Sequence, residues 1–153
     1  MKRIRVPILV LLLALSLAAF GQKAFVPKDE TVEQLIARAE SARPDDQPAL
    51  YTEVARRKAA AVDKLYDEGN AEAGTAALQD VVTYSKKATN ASIATGKRLK
   101  NTEITLRKMA AKFRDIKRTA AFDDQGPIQQ TVDELEKMRT DLLSAMFGKK
   151  KSQ

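Results

Sequence analysis

Small and apolar residues recur at alternating spacings of three and four residues between Leu78 and Ala120. No proline interrupts residues 71–121, so nothing in this stretch forces a helix to end. A repeat of about 3.5 residues places every member of the set along one side of an α-helix, as in a coiled coil. The set therefore predicts a helix against which the rest of the chain packs. We call it the heptad seam, and it consists of Leu78, Val81, Ser85, Ala88, Ser92, Thr95, Leu99, Thr102, Leu106, Met109, Phe113, Ile116 and Ala120.

The middle of the heptad seam leaves two interpretations open. Residues 85–96 are poor in strong helix formers, and Gly96 costs about 1 kcal/mol relative to alanine inside a helix. A break near Gly96 would account for this composition. The unbroken register instead indicates one helix over residues 71–121, on the order of 75 Å long at about 1.5 Å per residue. We expect one long helix that bends near Gly96.

Further helices are predicted on both sides of the heptad seam. Thr31 and Gln34 have the spacing of a capping box, and Pro48 and Pro127 suit the first turns of helices. No segment alternates with a period of two, so no strand is predicted. The expected fold is all-α, with antiparallel helical hairpins that share the long central helix and pack like a coiled coil. The additional helices are predicted over about residues 31–42, 48–68 and 127–147.

The residues around the first predicted hairpin turn resemble a known helical pair. Tyr66 precedes a turn at Gly69, and Gly74 follows near the start of the next helix. An aromatic residue before a glycine turn, with a small residue opening the second helix, resembles a single tetratricopeptide-type helical pair over about residues 50–82. The resemblance implies an antiparallel pair that approaches closely at the small residue. No second copy appears at the expected period, and elsewhere the chain looks like a small exported bacterial helical protein.

Residues 1–21 have the layout of a secretory signal peptide. Basic residues are followed by an apolar run and by small residues that suit cleavage before Gln22, with a second candidate after Ala24. The alternative is an inner-membrane anchor over residues 6–21, although the apolar run spans only about 20 Å as a helix against a bilayer core of about 30 Å. We expect an exported protein, periplasmic or extracellular after cleavage. The chain then continues as a linker over residues 22–30, a helical domain over 31–147 and a disordered basic tail over 148–153.

The composition removes the commonest catalytic groups. The chain has no cysteine and no histidine, so it lacks a thiolate nucleophile, the commonest general base and the commonest zinc ligand. No nucleotide-binding loop, nucleophile elbow or calcium-binding spacing is present. The acidic pairs beginning at Asp45 and Asp123 stand at predicted helix starts, where an acid stabilises the helix dipole. We predict a non-enzyme with no catalytic, cofactor-binding or metal-binding residues.

Positive charge is concentrated in the second half of the helix predicted over residues 71–121. Nine lysines and arginines lie between residues 97 and 118, opposed only by Glu103 and Asp115. Such a surface can dock an anion, whereas the alternative is a solvated helix face whose charge is partly met by acids of the following helix. No aromatic residue is interleaved to stack a base, so nucleic acid is disfavoured as a partner. The candidate anion-binding face comprises Lys97, Lys100, Arg107, Lys108, Arg114 and Arg118.

The sequence therefore favours an exported non-enzymatic protein that acts by binding. The first hypothesis is a protein–protein interaction or structural module of the bacterial cell envelope. It would meet an unknown protein partner or a second copy of itself through seam residues left exposed near 85–95, or through the concave side of the first hairpin. The alternative is a peripheral binder of an anionic membrane or envelope surface through the basic segment 97–118.

Overall fold

The computed structural model describes residues 29–148, and all of its regular structure is helical. The predicted all-α class is confirmed. The predicted signal peptide, most of the predicted linker and the basic tail after Gly148 lie outside the described residues. The helices are α1 (Val32–Ser41), α2 (Gln47–Asp67), α3 (Ala71–Thr95), α4 (Leu99–Thr119) and α5 (Gln125–Phe147), with a short 3-10 helix over Phe122–Asp124.

The long central helix predicted over residues 71–121 is wrong, because the chain forms two helices there. α3 ends at Thr95 and α4 begins at Leu99. Gly96 and Arg98 both adopt the left-handed conformation, with φ of 69° and 59°. An α-helix cannot pass through this conformation, and glycine enters it without the steric cost that a side chain brings. The scarcity of strong helix formers in residues 85–96 therefore precedes a true break in the helix. The heptad register continues on both sides of this break.

The break reverses the direction of the chain. The hydroxyl oxygens of Ser92 and Thr102 lie 2.9 Å apart, although ten residues of continuous helix would separate them by about 15 Å. The two expected hairpins therefore do not share a helix. Each has two helices of its own, α2 with α3 and α4 with α5.

The substitution Gly96→Ala tests whether the chain turns at Gly96. A turn and a continuous helix predict changes of opposite sign in the free energy of unfolding. The substitution should lower the free energy of unfolding by about 1 kcal/mol, because alanine is strained at positive φ. A continuous helix would instead gain about 1 kcal/mol from the same change. Urea denaturation followed by circular dichroism gives the sign.

Gly126 is the matched control for that substitution. It lies within α5, its φ is not positive, and a Cβ added there meets nothing within 4 Å. Gly126→Ala should therefore change the free energy of unfolding by less than about 0.5 kcal/mol, because the gain in helix propensity is offset by crowding between the new Cβ and the ring of Pro127. A gain at Gly96 would contradict the left-handed turn.

The two hairpins pack on each other as a four-helix bundle. α3 lies against α5, and α2 lies against α4, where the side chains of Lys112 and Asp63 form an ion pair at 3.0 Å. The shared core draws residues from all four helices and includes Val62, Val81, Phe113 and Leu135. Since successive helices run in opposite directions, the α3–α4 turn, the start of α2 and the end of α5 lie at the same end. We call this end the Gly96 end.

Of the two surfaces that the first functional hypothesis offered, one is buried and the other is partly occupied. The seam residues Ser85, Ala88 and Ser92 are fully buried, so the prediction of an exposed seam near 85–95 is wrong. Alanine and serine are small enough for neighbouring helices to close over them. On the first hairpin, Leu35 and Ala39 of α1 pack into a second cluster with residues of α2 and α3, so α1 occupies part of that surface.

Candidate anion-binding face

The structure places all six residues of the predicted anion-binding face on the surface. Lys97 lies in the α3–α4 turn, and the other five lie on α4. Lys100, Arg107 and Arg114 are seven residues apart and so share one side of the helix. The core side of α4 is occupied instead by the seam residues from Thr102 to Ile116, all of them buried. The heptad register thus buries one side of α4 and leaves the basic side exposed.

Neighbouring acids divide the predicted face into two parts. Arg114 pairs with Glu136 of α5 at 2.6 Å, and Arg118 pairs with Asp115 at 2.8 Å. These two arginines lie toward the end of α4 and are largely neutralised. The other four predicted residues form no ion pair with any described residue, and they lie toward the Gly96 end: Lys97, Lys100, Arg107 and Lys108.

Arg98 belongs to the same unpaired group, although the predicted face did not include it. It is exposed in the turn and forms no ion pair with a described residue. The sequence contained its charge, but a continuous helix would have pointed it away from its neighbours. Only the left-handed turn brings it to the Gly96 end. We call the five residues of this group the turn-end cations: Lys97, Arg98, Lys100, Arg107 and Lys108.

The acid closest in sequence to the turn-end cations is already committed to another partner. The Glu103 carboxylate is nearly buried and accepts hydrogen bonds from the Arg139 guanidinium at 3.0 and 2.8 Å. Arg139 also pairs with Glu136. Burial pulls the pKa of Glu136 upward, but hydrogen bonding and charge from Arg114 and Arg139 outweigh it and hold that pKa below its usual value. Both glutamates of this network therefore neutralise arginines other than the turn-end cations.

A shallow polar groove adjoins the turn-end cations between α2 and α4. Its volume is about 180 Å³, and its lining includes Thr52, Arg56, Arg98 and Asn101. Arg56 is occupied, because it donates two hydrogen bonds of 2.7 Å to Glu53, and this contact is the main cause of the lowered pKa of Glu53. Small-molecule sites usually measure about 300–1,000 Å³, so this groove is better suited to extending a charged surface than to enclosing a ligand.

Exposed apolar residues at the Gly96 end were not recognised from the sequence. Leu143 is 38% exposed and Phe147 is 70% exposed, both in the last turns of α5. The sequence predicted a helix to about residue 147 but did not single out either residue as exposed. The last fully buried residue of α5 is Leu142, beyond which the helix extends past the core.

Other kinds of site find no support in the part of the chain that the structure describes. Within residues 29–148 no three acidic side chains come together to hold a metal ion. No described helix is both long and apolar enough to cross a bilayer. Comparison with known proteins adds no assignment, since no family model, no curated protein and no solved structure matches this chain.

Proposed function

We propose that this chain is an exported, non-enzymatic binding module of the bacterial cell envelope and that it engages an anionic partner through the turn-end cations. The observation that carries the proposal is the set of five exposed cations within residues 97–108 that form no ion pair with a described residue. Five cations on one half of a helix and the turn before it raise the local positive potential, and this potential attracts an anionic partner. Export is supported by the signal-like layout of residues 1–21, and a non-catalytic role by the lack of histidine and cysteine.

The first hypothesis, a protein–protein interaction module that meets a protein partner or a second copy through the seam, has lost that surface. Its contact residues near 85–95 include Ser85, Ala88 and Ser92, which are inside the bundle. A second copy would have to displace neighbouring helices to reach them, since Ala88 packs against residues of α1 and α2, and Ser92 contacts Thr102 of α4. The exposed surface at the Gly96 end is therefore the better candidate for the binding role.

The proposal predicts salt-sensitive binding to a soluble polyanion. Lys97, Lys100 and Lys108 replaced together by glutamine should weaken binding to dextran sulfate on the order of 30-fold, or about threefold for each lysine. Raising the salt from about 0.05 to about 0.5 M should abolish binding by the unsubstituted protein, because exposed charges are screened. Fluorescence anisotropy of labelled dextran sulfate measures both effects.

The matched control removes three exposed lysines elsewhere, namely Lys64, Lys86 and Lys137. This control variant has the same net charge as the first triple variant. Any loss of affinity in the control therefore reports only the loss of long-range electrostatic attraction. We expect a loss of less than about threefold at this variant. Equal losses in the two triple variants would overturn the assignment to the turn-end cations.

A further inference from the structure

The turn-end cations are bordered by an apolar strip on α5. Leu143 and Phe147 follow Arg139 at intervals of four residues, so all three share one side of the helix. Arg139 reaches across to Glu103 of α4, which shows that this side of α5 borders α4. Because α4 and α5 are antiparallel, moving from Arg139 to Phe147 leads from Glu103 toward the start of α4. Leu143 and Phe147 therefore lie alongside the first turn of α4 and the α3–α4 turn before it, which carry Lys100 and Lys97.

The charge on the part of α4 beside this strip has one sign. Lys97 and Lys100 form no ion pair with a described residue, and the next acid along α4, Glu103, is held by Arg139. Asp141 is also exposed, but it is two residues from Leu143 and so faces a different side of α5. The strip is thus an exposed leucine and phenylalanine flanked by long cationic side chains.

Resting on the proposed function, we propose that the anionic partner is a lipid bilayer surface, with Phe147 and Leu143 entering its interface while Lys97 and Lys100 contact the headgroups. Apolar side chains that enter the acyl boundary beside lysines and arginines are the usual composition of an interfacial binding surface. Long cationic side chains can reach headgroups while their aliphatic parts remain in contact with apolar surface.

The small apolar area favours a bilayer over a folded protein partner. A phenylalanine buries about 150–250 Å² when fully covered, so two partly exposed residues offer roughly 300 Å² at most. A stable protein interface needs about 800 Å² from each partner. A bilayer has no such requirement, because insertion of few apolar residues adds to electrostatic attraction from many headgroups.

The test measures partitioning onto vesicles by co-sedimentation, with the protein purified as the expressing cell produces it and its N-terminus defined by mass. Vesicles of equimolar phosphatidylglycerol and phosphatidylcholine should bind the protein, and vesicles of phosphatidylcholine alone should not. Phe147→Ser should reduce partitioning about tenfold. Lys97→Gln with Lys100→Gln should also reduce it about tenfold, or about threefold for each charge.

Each variant has a matched control on the same protein. Phe122 is 86% exposed and lies in the α4–α5 connection, at the opposite end of the bundle. Phe122→Ser should change partitioning less than about twofold, and so should Lys86→Gln with Lys137→Gln. All substituted residues are exposed, so the helical circular dichroism of every variant should match that of the unsubstituted protein.

The outcomes separate this inference from the proposed function. If the protein binds dextran sulfate but not the anionic vesicles, or if Phe147→Ser partitions like the unsubstituted protein, then the bilayer inference is overturned and the electrostatic binding role stands. If the protein binds neither probe, both proposals fail. Tenfold losses at Phe147→Ser and at the double charge variant, with unchanged controls, support the inserted geometry.

Discussion

Phe113→Ala should lower the free energy of unfolding by about 4 kcal/mol, the largest effect that we expect from a single substitution in this chain. Phe113 is fully buried and belongs to the core cluster that joins all four bundle helices. Removing its ring takes away transfer free energy and leaves a cavity. Alanines such as Ala55, Ala59 and Ala110 contribute to this core, and side chains this short cannot move to fill the space.

A loss of that size is a large fraction of the stability of an ordinary domain, about 5–15 kcal/mol. The thermal midpoint should fall by about 15 °C or more, measured by circular dichroism at the helical band. Phe122→Ala is the control, because Phe122 is 86% exposed and its replacement should cost less than about 0.5 kcal/mol. Phe113→Leu, with an expected cost of about 1.5 kcal/mol, remains measurable if the alanine variant does not fold. Equal midpoints for Phe113→Ala and Phe122→Ala would contradict the core described here.

Arg139→Met should lower the free energy of unfolding by about 3 kcal/mol. The side chain of Glu103 is 10% exposed, and Arg139 is its hydrogen-bond donor among the described residues. The substitution therefore leaves a carboxylate in the α4–α5 interface without its partner. Glu136, the other acid that Arg139 contacts, keeps its ion pair with Arg114 and should contribute little to the loss.

A second substitution separates the loss of the pair from the cost of an unpaired charge. Glu103→Leu combined with Arg139→Met should return stability to within about 1 kcal/mol of the unsubstituted protein, because both charged partners are then apolar. Arg114→Met removes an exposed ion pair from the same helices and should cost less than about 1 kcal/mol. Chemical denaturation of the unsubstituted protein and these three variants measures all of these differences. If the double variant were less stable than Arg139→Met alone, then the buried carboxylate would not be the cause of the loss.

The heptad seam illustrates what a periodic pattern predicts well and what it does not. Leu78, Val81, Leu106 and Phe113 are buried as the register requires. The heptad register nevertheless does not distinguish one continuous helix from two, because the seam residues are buried in either case. Continuity was decided at Gly96 and Arg98, where two left-handed residues reverse the chain. Nothing in the sequence predicts that Arg98 adopts this conformation, because only glycine adopts it readily.

The candidate anion-binding face likewise has features that the sequence predicts and features that only the tertiary structure determines. The sequence revealed the excess of positive charge between residues 97 and 118, but not which charges are neutralised. Pairing depends on the neighbour that each side chain meets across the α4–α5 interface. There Glu136 meets Arg114, and Arg139 meets Glu103. The ion pairs set Arg114 and Arg118 apart from the rest of the predicted face, and Arg98 is an exposed cation that the face did not include. Anion binding by this face stays a prediction.

The sequence by itself determined the helical class and the buried side of each helix, because both follow from a local period of apolar residues. It also determined the excess of cations near the middle of the chain. The tertiary structure alone decided that the central stretch folds back on itself, that the polar seam residues are covered and that Phe147 remains exposed beside unpaired cations. These features depend on contacts between residues far apart in the sequence, and a local pattern holds no information on which distant surfaces meet.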